Sequence, residues 1–133
     1  MDSLANAISD VDAVLPTSES SEKAKSQIID FLKNHPDALH RTCLDGHLTG
    51  SAAIVDYTGK RILIMLHKKL QIWIQPGGHA DGDGNLPRVA LREATEETGI
   101  EDWRYSPRVL IVTCMLFRPG QVNQNICILI SDI

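Results

Sequence analysis

The stretch PGGHADGDGNLPRVALREATEETGI, Pro76 to Ile100, sets glycines ahead of a helix-like run with three glutamates in five positions, Glu93, Glu96 and Glu97. Pro87 suits the first turn of a helix, and Asn85 or Asp83 can cap its free amides. Gly99 supplies the left-handed residue that closes many helices. At about 100° per residue, the three glutamates fall within one arc of roughly 100°. Ala90, Leu91, Ala94 and Thr98 occupy a separate arc suited to packing on a sheet. An ordinary solvated face with an Arg92–Glu96 pair would account for the pattern on a surface helix. Yet Glu93 and Glu97 repel at i,i+4 by about a few tenths of a kcal/mol, which a hard divalent cation with oxygen ligands offsets. Gly77 and Gly78 let backbone approach a ligand with no Cβ in the way. The stretch therefore points to a Mg²⁺ site for a phosphate-bearing molecule.

Outward from this helix the periodicity is that of strands. GSAAIVD and RILIMLH are short, β-branched apolar runs separated by YTGK, which predicts a hairpin. QIWIQ is a third strand that leads straight into Pro76. RVLIVTCMLF and ICILI follow the helix as two more. Ahead of the strands, Leu4, Ile8, Val11 and Leu15 predict a helix over residues 3–15, ended by Pro16. A second helix over about residues 20–34 carries Ala24, Ile28, Phe31 and Leu32 on one face and stops before Pro36. Strands around a central helix, with further helices at one end, give an α+β or α/β sandwich.

The 133 residues suit a single domain with one core. Lys+Arg 13 against Asp+Glu 17 gives a net charge of -4. That balance opposes binding to nucleic acid by bulk electrostatics and is compatible with an acidic cation pocket. Cys43, Cys114 and Cys127 show no CxxC spacing and are expected as free thiols in a reducing cytoplasm. No basic n-region precedes an apolar core at the start, and the longest apolar runs are too short to span a bilayer. A cytoplasmic protein without membrane contact is the expectation.

With the motif in view, the chain resembles the Nudix hydrolases. Their signature is Gly, five residues, Glu, seven residues, Arg-Glu, an apolar residue, any residue, Glu-Glu, any residue, Gly, and an apolar residue. Gly78 opens it here and REATEETGI, Arg92 to Ile100, closes it in register, so that eight specified positions match over 23 residues. The wider run GHLTGSAAIVD…WIQPGGHADGD is similar to a bacterial subgroup, and the likeness extends from about residue 20 to about residue 105. One position departs: the first signature glutamate falls on Gly84.

The resemblance implies an α+β fold of the α/β/α Nudix sandwich type, with a mixed sheet and a signature loop-helix. Residues 1–45 would be an N-terminal helical extension packed on a domain of residues 46–133. The resemblance implies Mg²⁺ as cofactor, with Mn²⁺ as a substitute, held by Glu93, Glu96, Glu97 and the Gly77 carbonyl. The reaction it implies is hydrolysis of the diphosphate in a nucleoside diphosphate linked to another moiety. Glu96, Glu97 and Arg92 would carry the catalysis, Arg92 by orienting a glutamate. The partner would be a small nucleotide-type substrate. The rival expectation is a catalytically silent protein of the same fold that binds metal or nucleotide weakly or self-associates as a homodimer. His79 and Asp81 are expected to fix the loop, with contact to phosphate as the alternative. Trp73 is expected to pack in the core, with stacking on a base as the alternative. His35, His40, His47 and His67 are expected to be structural or surface residues.

After Tyr105 the likeness stops. Read in the neighbouring frame, each codon taking the last base of one and the first two of the next, the coding DNA of residues 110–133 admits DSDMHAIPARSSEPEHLHFDIRY, a string similar to the continuation in that subgroup. The expectation is a frameshift near residue 109, leaving the domain incomplete at its C-terminus and the apolar run VLIVTCMLF poorly covered.

Overall fold

The computed structural model describes residues 3–103, 108–117 and 126–129, the last two stretches as backbone only. In chain order the elements are α1 (Leu4–Asp12), α2 (Glu19–Asn34), β1 (His47–Val55), β2 (Ile62–Leu63), β3 (Met65–His67), β4 (Ile72–Ile74), β5 (Gly77–His79), α3 (Leu86–Thr98), β6 (Arg108–Phe117) and β7 (Ile126–Leu129). The class is α+β.

α2 forms where the apolar spacing predicts it, whereas α1 stops at Asp12, ahead of Pro16, and leaves Leu15 exposed. Ser18 caps α2 in a reciprocal exchange with Ser21. Lys25 of α2 reaches the carbonyl oxygens of Asp12 and Val14 and so ties α2 to the end of α1, where a cation meets the negative end of the helix. Ala7 and Val11 of α1 are buried with Ile28, Phe31 and Leu32 of α2. Leu48 of β1, Ala80 and Leu86 belong to the same cluster. The N-terminal helices thus share a core with the strand and helix that follow.

β1 is the central strand. β6 pairs along its whole length from His47↔Phe117 to Val55↔Arg108, and β7 pairs with β6. β2 and β5 pair with β1 at Val55↔Ile62 and at Thr49↔His79 to Ser51↔Gly77. Asp56 accepts from Thr58, Lys60 and Arg61 and closes the β1–β2 turn that YTGK predicts. RILIMLH does not run as one strand: it splits after Leu63, and β3 leaves β1 to pair with β4 in a separate two-stranded sheet. The expected mixed sheet is also corrected, because each pairing among the described strands is antiparallel. The reason is that β1 lies between β5 and β6. These two run parallel to each other, joined through α3, yet neither touches the other as a neighbour.

Strand alternation puts Leu48, Gly50, Ala52 and Ile54 on one face of β1. α3 crosses this face: Leu86 is buried with Leu48, and Ala90 and Ala94 with Ala52 and Ile54. Asn85 caps α3, Pro87 lies in its first turn, and Gly99 closes it at φ 74. The tail beyond the β6 and β7 backbone lies outside the described residues, as do the side chains of Cys114 and Cys127. No helix among the described residues is long and apolar enough to cross a membrane.

Candidate functional site

The segment that reads in sequence as a glycine loop is a strand, β5, and its pairing decides what α3 meets. Ala52 N–H donates to the Pro76 carbonyl at 2.9 Å, and Ala80 N–H donates to the Leu48 carbonyl at 3.1 Å. In an antiparallel ladder the N–H and C=O of one residue point to the same side, and successive residues alternate. Gly77 and His79 therefore turn their polar groups away from β1. There they meet the glutamate helix. Gly77 N–H donates to Glu97 Oε2 at 3.0 Å, and Arg92 Nη2 donates to the His79 carbonyl at 3.2 Å. The alternation puts the Gly77 carbonyl on the same outward edge as its N–H.

Between these two contacts Glu93 lies directly against Gly78, where any Cβ would collide with its carboxylate. The close approach of α3 to the sheet is set at Gly50 of β1, where a Cβ would press on Val89, the Ala90 amide and the Leu86 carbonyl. Arg92 pairs with Glu93 at 3.2 Å and reaches toward Asp83 at 3.9 Å. The surface alternative, an Arg92–Glu96 pair, does not form among the described ion pairs. Asp83 is in turn gripped by Arg88 at 2.8 Å, which holds its carboxyl below the usual range.

Burial pushes the Glu97 pKa up, the Gly77 amide opposes this, and the charges of Glu93 and Glu96 push it further up. His67 acts in the opposite direction. Negative charge is thus concentrated at one end of the outward edge of β5. The structure brings a half-buried Glu93 and an exposed Glu97 to the glycines and leaves Glu96 exposed beside them. Among the described residues, no three His, Cys, Asp or Glu side chains are gathered into a ready-made metal cluster.

The loop after β5 is braced as expected. Asp81, at φ 49, accepts two hydrogen bonds from Arg41 at 2.8 and 2.7 Å. His79 Nδ1 lies 2.8 Å from His47 Nε2. His47 is therefore a buried partner of the loop, a role its spacing in the sequence does not announce. Trp73 corrects the reading of it as a core residue: it is 64% exposed, because it faces outward from the β3–β4 pair opposite Leu66. Two approaches of the N-terminal segment to the site, Ser3 against Gly84 and Asp10 in one cleft with Asn85, have no signal in the sequence at all, since they join residues about eighty positions apart. Compared with known families, the chain matches no family model.

Proposed function

We propose that this protein is a Mg²⁺-dependent hydrolase of the Nudix type, with the α/β/α layering of that fold, that cleaves the diphosphate of a nucleoside diphosphate linked to another moiety. The observation that carries the reading is the seating of Glu93 and Glu97, one helical turn apart, against two glycines of one strand edge. The donor set fits a hard cation: carboxylates of Glu93, Glu96 and Glu97 and the outward carbonyl of Gly77 offer oxygen alone. Mg²⁺, or Mn²⁺ in its place, supplies neutralisation of diphosphate oxygens and a more acidic water. Arg92 holds Glu93 in place while bound to the His79 carbonyl. Glu97, its pKa raised by burial, is suited to take up the proton of the attacking water, with Glu96 beside it.

The test is release of phosphate or nucleoside monophosphate from a panel of nucleoside diphosphate compounds, with and without Mg²⁺. Turnover that requires Mg²⁺ and falls at least about a hundredfold in Glu97→Gln is expected. Turnover that survives the substitution, or none from folded protein on any compound, would sink the reading. A second reading, a silent protein of this fold that self-associates, is favoured by one observation. Leu66 and Trp73, paired across β3 and β4, are exposed on the same face.

A further inference from the structure

The chain passes from β5 to α3 through one tight turn. Ala80, buried at the end of β5, donates its N–H to the Leu48 carbonyl of β1. Asp83 N–H donates back to the Ala80 carbonyl at 3.0 Å. Between them Asp81 and Gly82 stand at φ 49 and φ 91, the pattern of a type I′ turn. Glycine takes that region freely, whereas a residue with a Cβ, Asp included, is strained there. Asp83 then accepts from Asn85 N–H and from Arg88, and Asn85 caps α3. The shape of this turn therefore sets where α3 starts relative to β5.

The connection from α2 to β1 is laced to the same turn. Gly82 N–H donates to the Leu39 carbonyl at 2.9 Å, and a Cβ on Gly82 would press on the His40 ring. Arg41 adds a tie through both oxygens of the Asp81 carboxylate: Nε donates to Oδ1 at 2.8 Å and Nη2 to Oδ2 at 2.7 Å. An ion pair this open, with side chains 59% and 48% exposed, contributes little by charge alone. Two features set it apart. The pair is bidentate, which fixes geometry as well as charge. Its carboxylate also belongs to the residue whose backbone is strained, and such a conformation persists only where its surroundings hold it.

We propose that Arg41 is a positioning residue for the glutamate site: by gripping Asp81 it holds the left-handed turn that sets α3 against β5. The turn in that shape keeps Glu97 on the Gly77 amide and Arg92 on the His79 carbonyl. This deepens the function proposed above, and it rests on that reading where the cation is concerned. Lysine cannot take the place of Arg41, because a single ammonium does not match both carboxylate oxygens in one plane. Glycine at position 81, by contrast, adopts the turn unaided, so the need for Arg41 should vanish there.

The test uses the full chain and two readouts, hydrogen exchange of the Gly77 amide by NMR and Mn²⁺ binding by electron paramagnetic resonance. Arg41→Ala is expected to speed Gly77 exchange about tenfold, the scale of one lost charge-assisted hydrogen bond, and to weaken Mn²⁺ binding about threefold. Arg41→Lys should recover less than about half of either loss. Adding Arg41→Ala to Asp81→Gly should change neither readout by more than about twofold, because the two changes act through one contact. Arg61→Ala, which breaks another open pair at Asp56, should move neither. Unchanged Gly77 exchange in folded Arg41→Ala overturns the inference. So does a full loss on adding Arg41→Ala to Asp81→Gly, since Arg41 would then act on something other than the turn. Should Arg41→Ala fail to fold alone, Arg41→Lys in the two backgrounds decides by the same comparison. Should the wild-type chain bind no Mn²⁺, the hydrolase reading fails by itself. Gly77 exchange then decides on positioning alone: faster in Arg41→Ala supports it, and unchanged rejects it.

Discussion

His47 is buried in β1, and its Nε2 shares a hydrogen bond with His79 Nδ1, so one ring donates and the other accepts. Burial pushes the His47 pKa below its ordinary 6.5, the charges of His79 and Arg41 push it further down, and Asp81 opposes them. The unfolded chain therefore takes up a proton near pH 6.5 that the folded chain refuses. Stability from the neutral ring is present above that pH and is lost as the pH falls from there toward the folded value. Urea melts across about pH 5 to 8 should show the midpoint dropping on the acid side, and His47→Gln should flatten that limb. An equally steep limb in His47→Gln would show that other groups set it.

The glutamate helix depends on its two ends. Asn85→Ala removes the side-chain cap on Arg88 N–H and should cost about 1 kcal/mol. Gly99→Ala forces a Cβ into the left-handed region at φ 74 and should also cost about 1 kcal/mol. The ends share no partner, so thermal melts of the double variant should show the two losses adding. These ends were legible in the sequence because caps are local chemistry: Asn85, Pro87 and Gly99 act on amides within a few residues. The strand character of Gly77–His79 was not legible, since glycines carry no β-forming side chain and the pairing is dictated by β1, about thirty residues away. The split of RILIMLH into β2 and β3 was hidden for a related reason. Nothing within that apolar run marks a break, and only tertiary pairing decides which neighbour each half joins. Of the site, the sequence pattern located the glutamates and glycines, while the approaches of Asp10 and Ser3 and the contact of His47 come from parts of the chain that no period links to them.

At the scale of the molecule, the β3–β4 pair stands apart from the main sheet with Leu66 at 42%, Ile72 at 49% and Trp73 at 64% exposure. Strand alternation sets Leu66 and Trp73 together on the open face, while Met65 and Ile74, paired on the other face beside Ile72, are half-buried. Sedimentation should show association of the wild-type chain that rises with concentration, and Leu66→Ser with Trp73→Ser should weaken it about tenfold or more. Equal behaviour of the two chains would remove this face from any account of assembly. The crossover from β5 through α3 to β6 has a consequence for how the chain reaches its native state. Pairing His47 with Phe117 closes a loop spanning most of the sheet, and contacts so distant in sequence form slowly. α3 packs across β5, β1 and β6 together, so its platform is complete only after that closure. A nascent chain whose last strands have not emerged already carries the glutamates and the β5 edge they meet, but it lacks β6, so the sheet beneath α3 is completed only in the final steps of folding.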